Sequence, residues 1–307
     1  MTSHNHHHHH HEHTENLKGK KLLWVTLLNF SITLVQVAGG IMSNSLSLLS
    51  DAIHNLGDSS AIFIAWLAGK KGQKKPDKHR TFGYKRVEIL AALFNGMVLI
   101  AICIFLLYEA YKRFINPEPI KGKIMLVIAV FGLLANLISV LVLNKDKNHN
   151  LNIKAAYLHL LGDTLSSVAV ILSGIVIWLF QIYWLDPLIT VFISLYIIYH
   201  TWGMVKETVD ILMQSTPHNI NVDELKIEVE KINEIKNLHH VHIWKLDDKQ
   251  VHFESHIDLK NNITMSEMMR VKQEVEDVLR NKFKVHHVTL QMGYECCTDN
   301  HLIAEKH

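Results

Sequence analysis

Six stretches of mostly apolar residues, at roughly 22–42, 46–69, 87–114, 123–143, 153–181 and 187–212, follow one another with short links, and each approaches the ~20 residues needed to cross a bilayer as a helix. Hydrocarbon offers the backbone no hydrogen-bond partner, so apolar runs of this length fold as helices that satisfy their own amide groups. The composition agrees, because the 49% of hydrophobic residues is concentrated between Leu22 and Met213, while the remainder is as polar as a soluble domain. The expected fold is therefore an α-helical membrane protein with six transmembrane helices and a soluble tail. A net charge of +2 is too small to point to nucleic acid.

The link between the first two runs is only Met42 to Ser45, whereas the second and third are joined by Lys70, Lys71, Lys74, Lys75, Lys78, Arg80, Lys85 and Arg86. Together with Lys18, Lys20 and Lys21, and with Lys145, Lys147 and Lys154 in the fourth link, this charge bias places both termini in the cytoplasm of a multi-pass cell-membrane protein. Lys121 and Lys123 in the third link run against the bias. Residues 1–20 hold His4, His6 to His11 and His13 without core-forming residues, so this segment reads as a disordered cytoplasmic metal-binding tract or as an affinity tag. Residues 21–214 are then a six-helix transmembrane domain and 215–307 a cytoplasmic domain. Cys103 reads as core, and the pair Cys296 and Cys297 gives no disulfide framework.

From Thr216 the hydrophobic period changes. Helical spacing over Val222 to Ile235, strands over Val241 to Leu246 and Val251 to Leu259 around Asp247-Asp248-Lys249, a helix over Met265 to Phe283 and a strand over Val285 to Met292 predict an α+β domain in the order αββαβ.

Chemistry concentrates in two His-x-x-x-Asp spacings inside apolar runs, His54 to Asp58 and His159 to Asp163. Residues four apart lie on one helix face about 6 Å apart along the axis, so two facing helices can offer two imidazoles and two carboxylates to one ion. That is a complete tetrahedral zinc shell. A charged group in mid-span costs about 2.5–3.5 kcal/mol on insertion scales, so such groups are kept with partners or in wet cavities. The bland alternative, two polar helix contacts, would explain one such spacing better than the repeated pair. Imidazole with carboxylate suits Zn, Mn, Fe, Co or Ni, and the spans lack thiolates suited to Cu(I). Two carboxylates balance a divalent ion, so departure of the ion calls for protons in its place. Asp51, three residues before His54, is either an entry carboxylate or a capping group. His200 reads as an interfacial anchor, and Asn29, Gln36, Asn95 and Asn136 as interhelical hydrogen-bond groups.

In the tail, strand alternation puts His240 and His242 on one face and His239 on the other, while His252 and His256 share a face. His286 and His287 precede the last strand, and either Cys296 or Cys297 could join a site with Glu295 or His301. A second metal site competes here with plain surface histidines.

The run Leu48 to Asp58, the run Arg80 to Leu93 (Arg-Thr-Phe-Gly-Tyr-Lys-Arg-Val-Glu-Ile-Leu-Ala-Ala-Leu), His159-Leu160-Leu161-Gly162-Asp163 and Val241-His242-Ile243-Trp244 strongly resemble the cation diffusion facilitator family, in its bacterial zinc, cadmium and cobalt efflux branch. The likeness covers residues 20–292. It implies six spans, a homodimer held partly by a ferredoxin-like cytoplasmic domain, and export of divalent cations by proton antiport with alternating access. By position, His54, Asp58, His159 and Asp163 resemble the family's transport site, and a histidine in the first position is similar to its zinc-preferring members. His239 and His256 match positions that bind metal in relatives' cytoplasmic domains, and His286 resembles a ligand of a close subgroup, with His240 beside them. Gln291 and Gly293 depart from histidine and acidic residues found in some members, which implies a rebuilt cytoplasmic site. His79 stands one residue from a family loop-site histidine, and Tyr84 replaces another.

The expected function is thus a Zn2+/H+ antiporter. Zn2+ is its substrate and regulatory ligand, Cd2+, Co2+, Ni2+ and Fe2+ are further candidate substrates, protons, lipid and a second copy are the partners, and no catalytic cofactor is needed. The basic second link is expected to meet Asp210. An intramembrane metalloprotease would need an open zinc position and His-Glu-x-x-His, which the chain lacks. A membrane-anchored metal sensor without transport leaves the mid-span ligands unexplained.

Overall fold

A computed structural model describes residues 30–72, 74–144, 151–295 and 301–303, with side chains at 59, 61–63, 65–72, 143, 151–156 and 158–160 left undescribed. The histidine tract, the pair Cys296 and Cys297, and the start of the first apolar run lie outside the described residues. Among the described residues six helices come first: α1 (Phe30–Ser43), α2 (Leu46–Gly72), α3 (Arg86–Ile115), α4 (Gly122–Asn144), α5 (Leu151–Phe180) and α6 (Leu185–Leu212). They are followed by α7 (Val222–Glu230), β1 (Ile235–Lys245), β2 (Val251–Leu259), α8 (Met265–Phe283) and β3 (His287–Gly293). The protein is therefore an α-helical membrane protein with an appended αββαβ domain. Among the described residues, four helices are long and apolar enough to cross a membrane: Arg86–Ile115, Gly122–Val142, Leu161–Phe180 and Leu185–Leu212.

Contacts divide the chain into two compact units, one taking Met1–Ile64 with Phe94–Gly203, the other Ala65–Leu93 with Met204–His307. The helical unit ends three turns of α6 earlier than the composition implies, because the polar C-terminal part of α6 and the basic link before α3 associate with the sheet.

Within the helical unit the turn between α1 and α2 is tied down by polar groups. Asn44 adopts φ 60, a left-handed conformation that asparagine tolerates better than most residues. Arg113 donates to the Asn44 carbonyl at 2.6 Å and to its side-chain oxygen at 2.8 Å. The amides that open α2 need acceptors. Asp186 of α6 supplies them, accepting from Leu46 N at 2.7 Å, Ser47 N at 3.2 Å, and the hydroxyls of Ser45 and Ser47 at 2.6 Å. A carboxylate at a helix N-terminus is also favoured by the helix dipole. Close packing uses small residues: a Cβ on Gly132 would lie 2.3 Å from the Gln36 side chain, so α1 and α4 touch there only because the methyl is absent. Cys103 is fully buried beside Leu48, Met125 and Ile197, as core.

In the other unit, α8 starts at Thr264, whose hydroxyl accepts from Glu267 N while the Glu267 carboxylate accepts from Thr264 N, a reciprocal cap. Its buried residues Val271, Val275, Leu279 and Phe283 recur every four positions and pack on Phe253, Ile257 and Leu259 of β2. The strand order is β1-β2-β3, antiparallel then parallel, with α8 as the crossover. The helix anticipated over 222–235 stops at Glu230, and β1 begins at Ile235 rather than 241. Ile235 and Leu238 are buried in the core, and paired backbone across from Leu259 and Ile257 outweighs the helical spacing there.

Candidate metal centre

His54 and Asp58 lie one turn apart on α2, and Asp163 comes from α5. The His54 Nδ1 is 3.4 Å from an Asp58 carboxylate oxygen, and its Nε2 is 3.3 Å from Asp163. One ligand atom from each of the three can be chosen so that all lie within 4.8 Å of one another. Among the described residues this is the group of three or more ligating side chains that comes so close. Tetrahedral zinc with bonds of ~2.0–2.2 Å separates its ligand atoms by about 3.4 Å, so the helices already hold the three near a binding distance. Asp163 is 3% exposed and Asp58 33%, which leaves the second carboxylate as the side open to entry. His159 sits on α5 one turn before Asp163 and on the same helix face, while its side chain lies outside the described residues.

Asp51 stands apart from these three as an acceptor. It takes hydrogen bonds from Ser166 Oγ at 2.5 Å, Ser167 Oγ at 3.2 Å and Gln36 Nε2 at 3.2 Å, joining α1, α2 and α5. Ser166 also donates to the Asp163 carbonyl at 3.0 Å, so this network reaches the turn of α5 that carries Asp163. Gln36 acts here as the interhelical hydrogen-bond group read from the sequence, whereas the two hydroxyls were not singled out; their signal existed only as Ser166-Ser167 three and four residues after Asp163. Asn95 donates to the Gly57 carbonyl at 3.2 Å, as an interhelical hydrogen-bond group. His200 meets the rings of Tyr196 and Tyr199 at 4.5 and 5.7 Å.

On the sheet, the register of β1 against β2 shifts twice, between Ile235 and Asn237 and between His239 and His242. His240 has φ 53, and the register slips between the pairs His239 with His256 and His242 with Glu254. This bulge turns both His239 and His240 toward His256, at ring separations of 5.6 and 4.5 Å, with His242 5.0 Å from His240. The separation of His239 from His240 expected from a regular strand is thus corrected. Backbone amides of His240 and Val241 donate to the carbonyls of His301 and Leu302, bringing the last described residues to the same edge. Burial and the neighbouring His240 hold His256 below the ordinary histidine range, against the pull of Glu254.

His286 does not join this cluster. Its Nδ1 accepts from Val251 N at 3.3 Å, five residues along β2 from His256 and therefore about 17 Å away at ~3.4 Å per residue. Beside it, His252 packs between Trp244 and Phe82, each at 5.5 Å, and His287 at 4.9 Å. Burial first, then His287 and Lys85, keep His252 below the usual range. His79 is exposed in the loop, where its backbone amide donates to Asp77. Asp210 faces His218 at 3.3 Å, while Lys85 of the basic link turns instead to Gln250 and to Asp247 at 3.9 Å.

Comparison with known proteins agrees with this arrangement at the level of whole domains. The cation efflux transmembrane domain matches residues 22–213, and the cation efflux protein cytoplasmic domain matches residues 217–293. The zinc transporter ZitB of Pectobacterium atrosepticum is 35% identical over 97% of this chain and 91% of its own length. The cadmium, cobalt and zinc/H(+)-K(+) antiporter of Bacillus subtilis is 36% identical over 95% and 92%. ZitB of Escherichia coli is 34% identical over 96% and 94%. These are transporters and not enzymes, and the chain belongs to the cation efflux family of membrane transport proteins, in its zinc, cadmium and cobalt branch.

Proposed function

We propose that the protein exports Zn2+ from the cytoplasm in exchange for protons, with His54, Asp58, His159 and Asp163 as the transport site. The observation that carries this reading is His54 standing between two carboxylates from different helices inside a bilayer-spanning fold. With neutral imidazoles, two carboxylates leave a bound divalent ion with no net charge. When the ion leaves, two protons taken up by the four ligands restore that balance, and an imidazolium between Asp58 and Asp163 is one such arrangement. Proton and ion thus compete for one set of atoms, which is the physical requirement for antiport. Names of relatives that include cadmium and cobalt support a wider metal range than zinc alone.

The cluster of His239, His240 and His256 is the proposed regulatory zinc site, and the cytoplasmic domain the proposed contact between two copies. The basic link before α3 supports cytoplasmic termini. The deciding experiment is zinc flux into sealed proteoliposomes under an imposed pH gradient, comparing the unaltered protein with Asp58→Ala and Asp163→Ala. Gradient-driven flux lost in both variants is expected. Flux that ignores the gradient, or survives either change, overturns the reading.

A further inference from the structure

The link between α2 and α3 and the first strand of the sheet enclose a cavity of about 430 Å³ that the transport reading does not use. Its walls carry three cations, Arg80, Lys85 and Arg86, and the apolar groups Phe82, Val87, Leu90, Trp244 and Leu246. The charge is only partly answered. Lys85 lies 3.9 Å from Asp247, whereas Arg80 stacks its guanidinium on Tyr84 at 4.4 Å, and the buried Arg86 Nε has no hydrogen-bond partner among the described residues. Arg86 is also the first residue of α3, so the positive end of a 30-residue helix dipole adds to the field.

We infer that this cavity is a binding site for the phosphate headgroup of an anionic phospholipid. The reason to choose a lipid over a free phosphate is what the cations adjoin. α3 is long and apolar enough to cross a membrane, and Arg86, Val87 and Leu90 at its start line the cavity, so the cations adjoin the polar end of an otherwise apolar helix. Leu90, one turn in from Arg86, lines the cavity and is 53% exposed, which offers an acyl chain an apolar path leading away from the phosphate. Phe82, 54% exposed at the rim, is an aromatic group of the kind that settles at the interface. A free phosphate would use the guanidinium groups and leave these apolar surfaces uncovered. The inference is independent of metal transport.

The test is native mass spectrometry of the detergent-solubilised full chain titrated with phosphatidylglycerol, phosphatidylcholine or inorganic phosphate, repeated with Arg80→Gln and with Arg80→Gln/Arg86→Gln. Phosphatidylglycerol should bind more tightly than phosphatidylcholine and weaken about fivefold for each cation removed, since a cation near a lipid surface contributes ~1 kcal/mol. Arg80 is exposed in a loop, so the single variant reports even if the double one does not fold. Lys121→Gln/Lys123→Gln, outside the cavity, should leave binding unchanged. Equal binding of the two lipids, no change in Arg80→Gln, or displacement of phosphatidylglycerol by inorganic phosphate at equal concentration overturns the assignment.

Discussion

In the helical unit His54 stands between Asp58 and Asp163 at 3.4 and 3.3 Å, whereas on the sheet His256 meets other imidazoles, His240 at 4.5 Å and His239 at 5.6 Å between ring centres. The difference follows from the two surroundings. A divalent ion inside a bilayer-spanning fold must have its charge cancelled locally, because low dielectric makes an unbalanced charge costly. Carboxylates do that, and in the proposed antiport their charge is also what exchanges the ion for protons. On the sheet, burial and then the neighbouring His240 hold His256 below the ordinary histidine range, which favours the neutral ring whose nitrogen lone pair can meet a metal without cancelling charge. On the proposed function, the first arrangement is the one for passage of an ion and the second the one for sensing its concentration.

The comparison breaks most visibly if the two sites contribute equally to flux. Asp163→Ala should lower zinc flux in proteoliposomes by at least about 100-fold, since loss of even an outer partner of a metal ligand costs about 10–100-fold, while His256→Ala should lower it less than about tenfold. A reversed order would place transport on the sheet. Next in size is the support of α2. Asp186→Ala strands two amides and two hydroxyls at the helix start and should cost about 3 kcal/mol or more in unfolding of the detergent-solubilised chain, each unmet group being worth ~1–3 kcal/mol.

A smaller effect sharpens the account of the bulge. His240→Val must hold a β-branched residue at positive φ, a strain of about 1–2 kcal/mol, whereas His240→Gly relieves it. Zinc affinity of the full chain carrying Asp58→Ala, measured by calorimetry, should therefore fall further in the valine variant than in the glycine one. Equal losses would mean that only the imidazole matters. The smallest effect is in pH. His252 and His256 both titrate below the ordinary value, so below about pH 6.5 the unfolded chain binds protons that the folded one refuses. Stability should fall as pH drops from about 6.5 toward the folded values and be flat above it, and His256→Gln should flatten the acid side in a denaturant series.

Much of this was legible in the sequence for a plain reason: bilayer thickness and helix rise turn apolar run length into helix placement, and α3 to α6 begin and end within two residues of the runs read from hydropathy. The strand at Val251–Leu259 and the helix at Met265–Phe283 coincide with their readings because the hydrophobic period of each segment shows in its sequence, the helix burying Val271, Val275, Leu279 and Phe283 at four-residue spacing. The close approach of His54, Asp58 and Asp163, the proposed ligands, had a signal in the sequence because charged groups in mid-span are few. His286 was misplaced with His239 and His256 because likeness to a ligand position says nothing of which end of β2 it adjoins. His239 and His240 were assigned to opposite faces because nothing in the letters marks a left-handed residue that is not glycine.

Sequence by itself determined the elements, their membrane character and the ligand types, since each depends on local period, length and side-chain chemistry. Tertiary structure alone decided that Asp51 is taken up by Ser166, Ser167 and Gln36, that Asp186 caps a helix 140 residues away, and that His240 turns to meet His256. Those outcomes depend on which distant groups compete for one carboxylate or one ring, and hydrogen-bond satisfaction among buried polar groups is settled only when the helices and strands have packed.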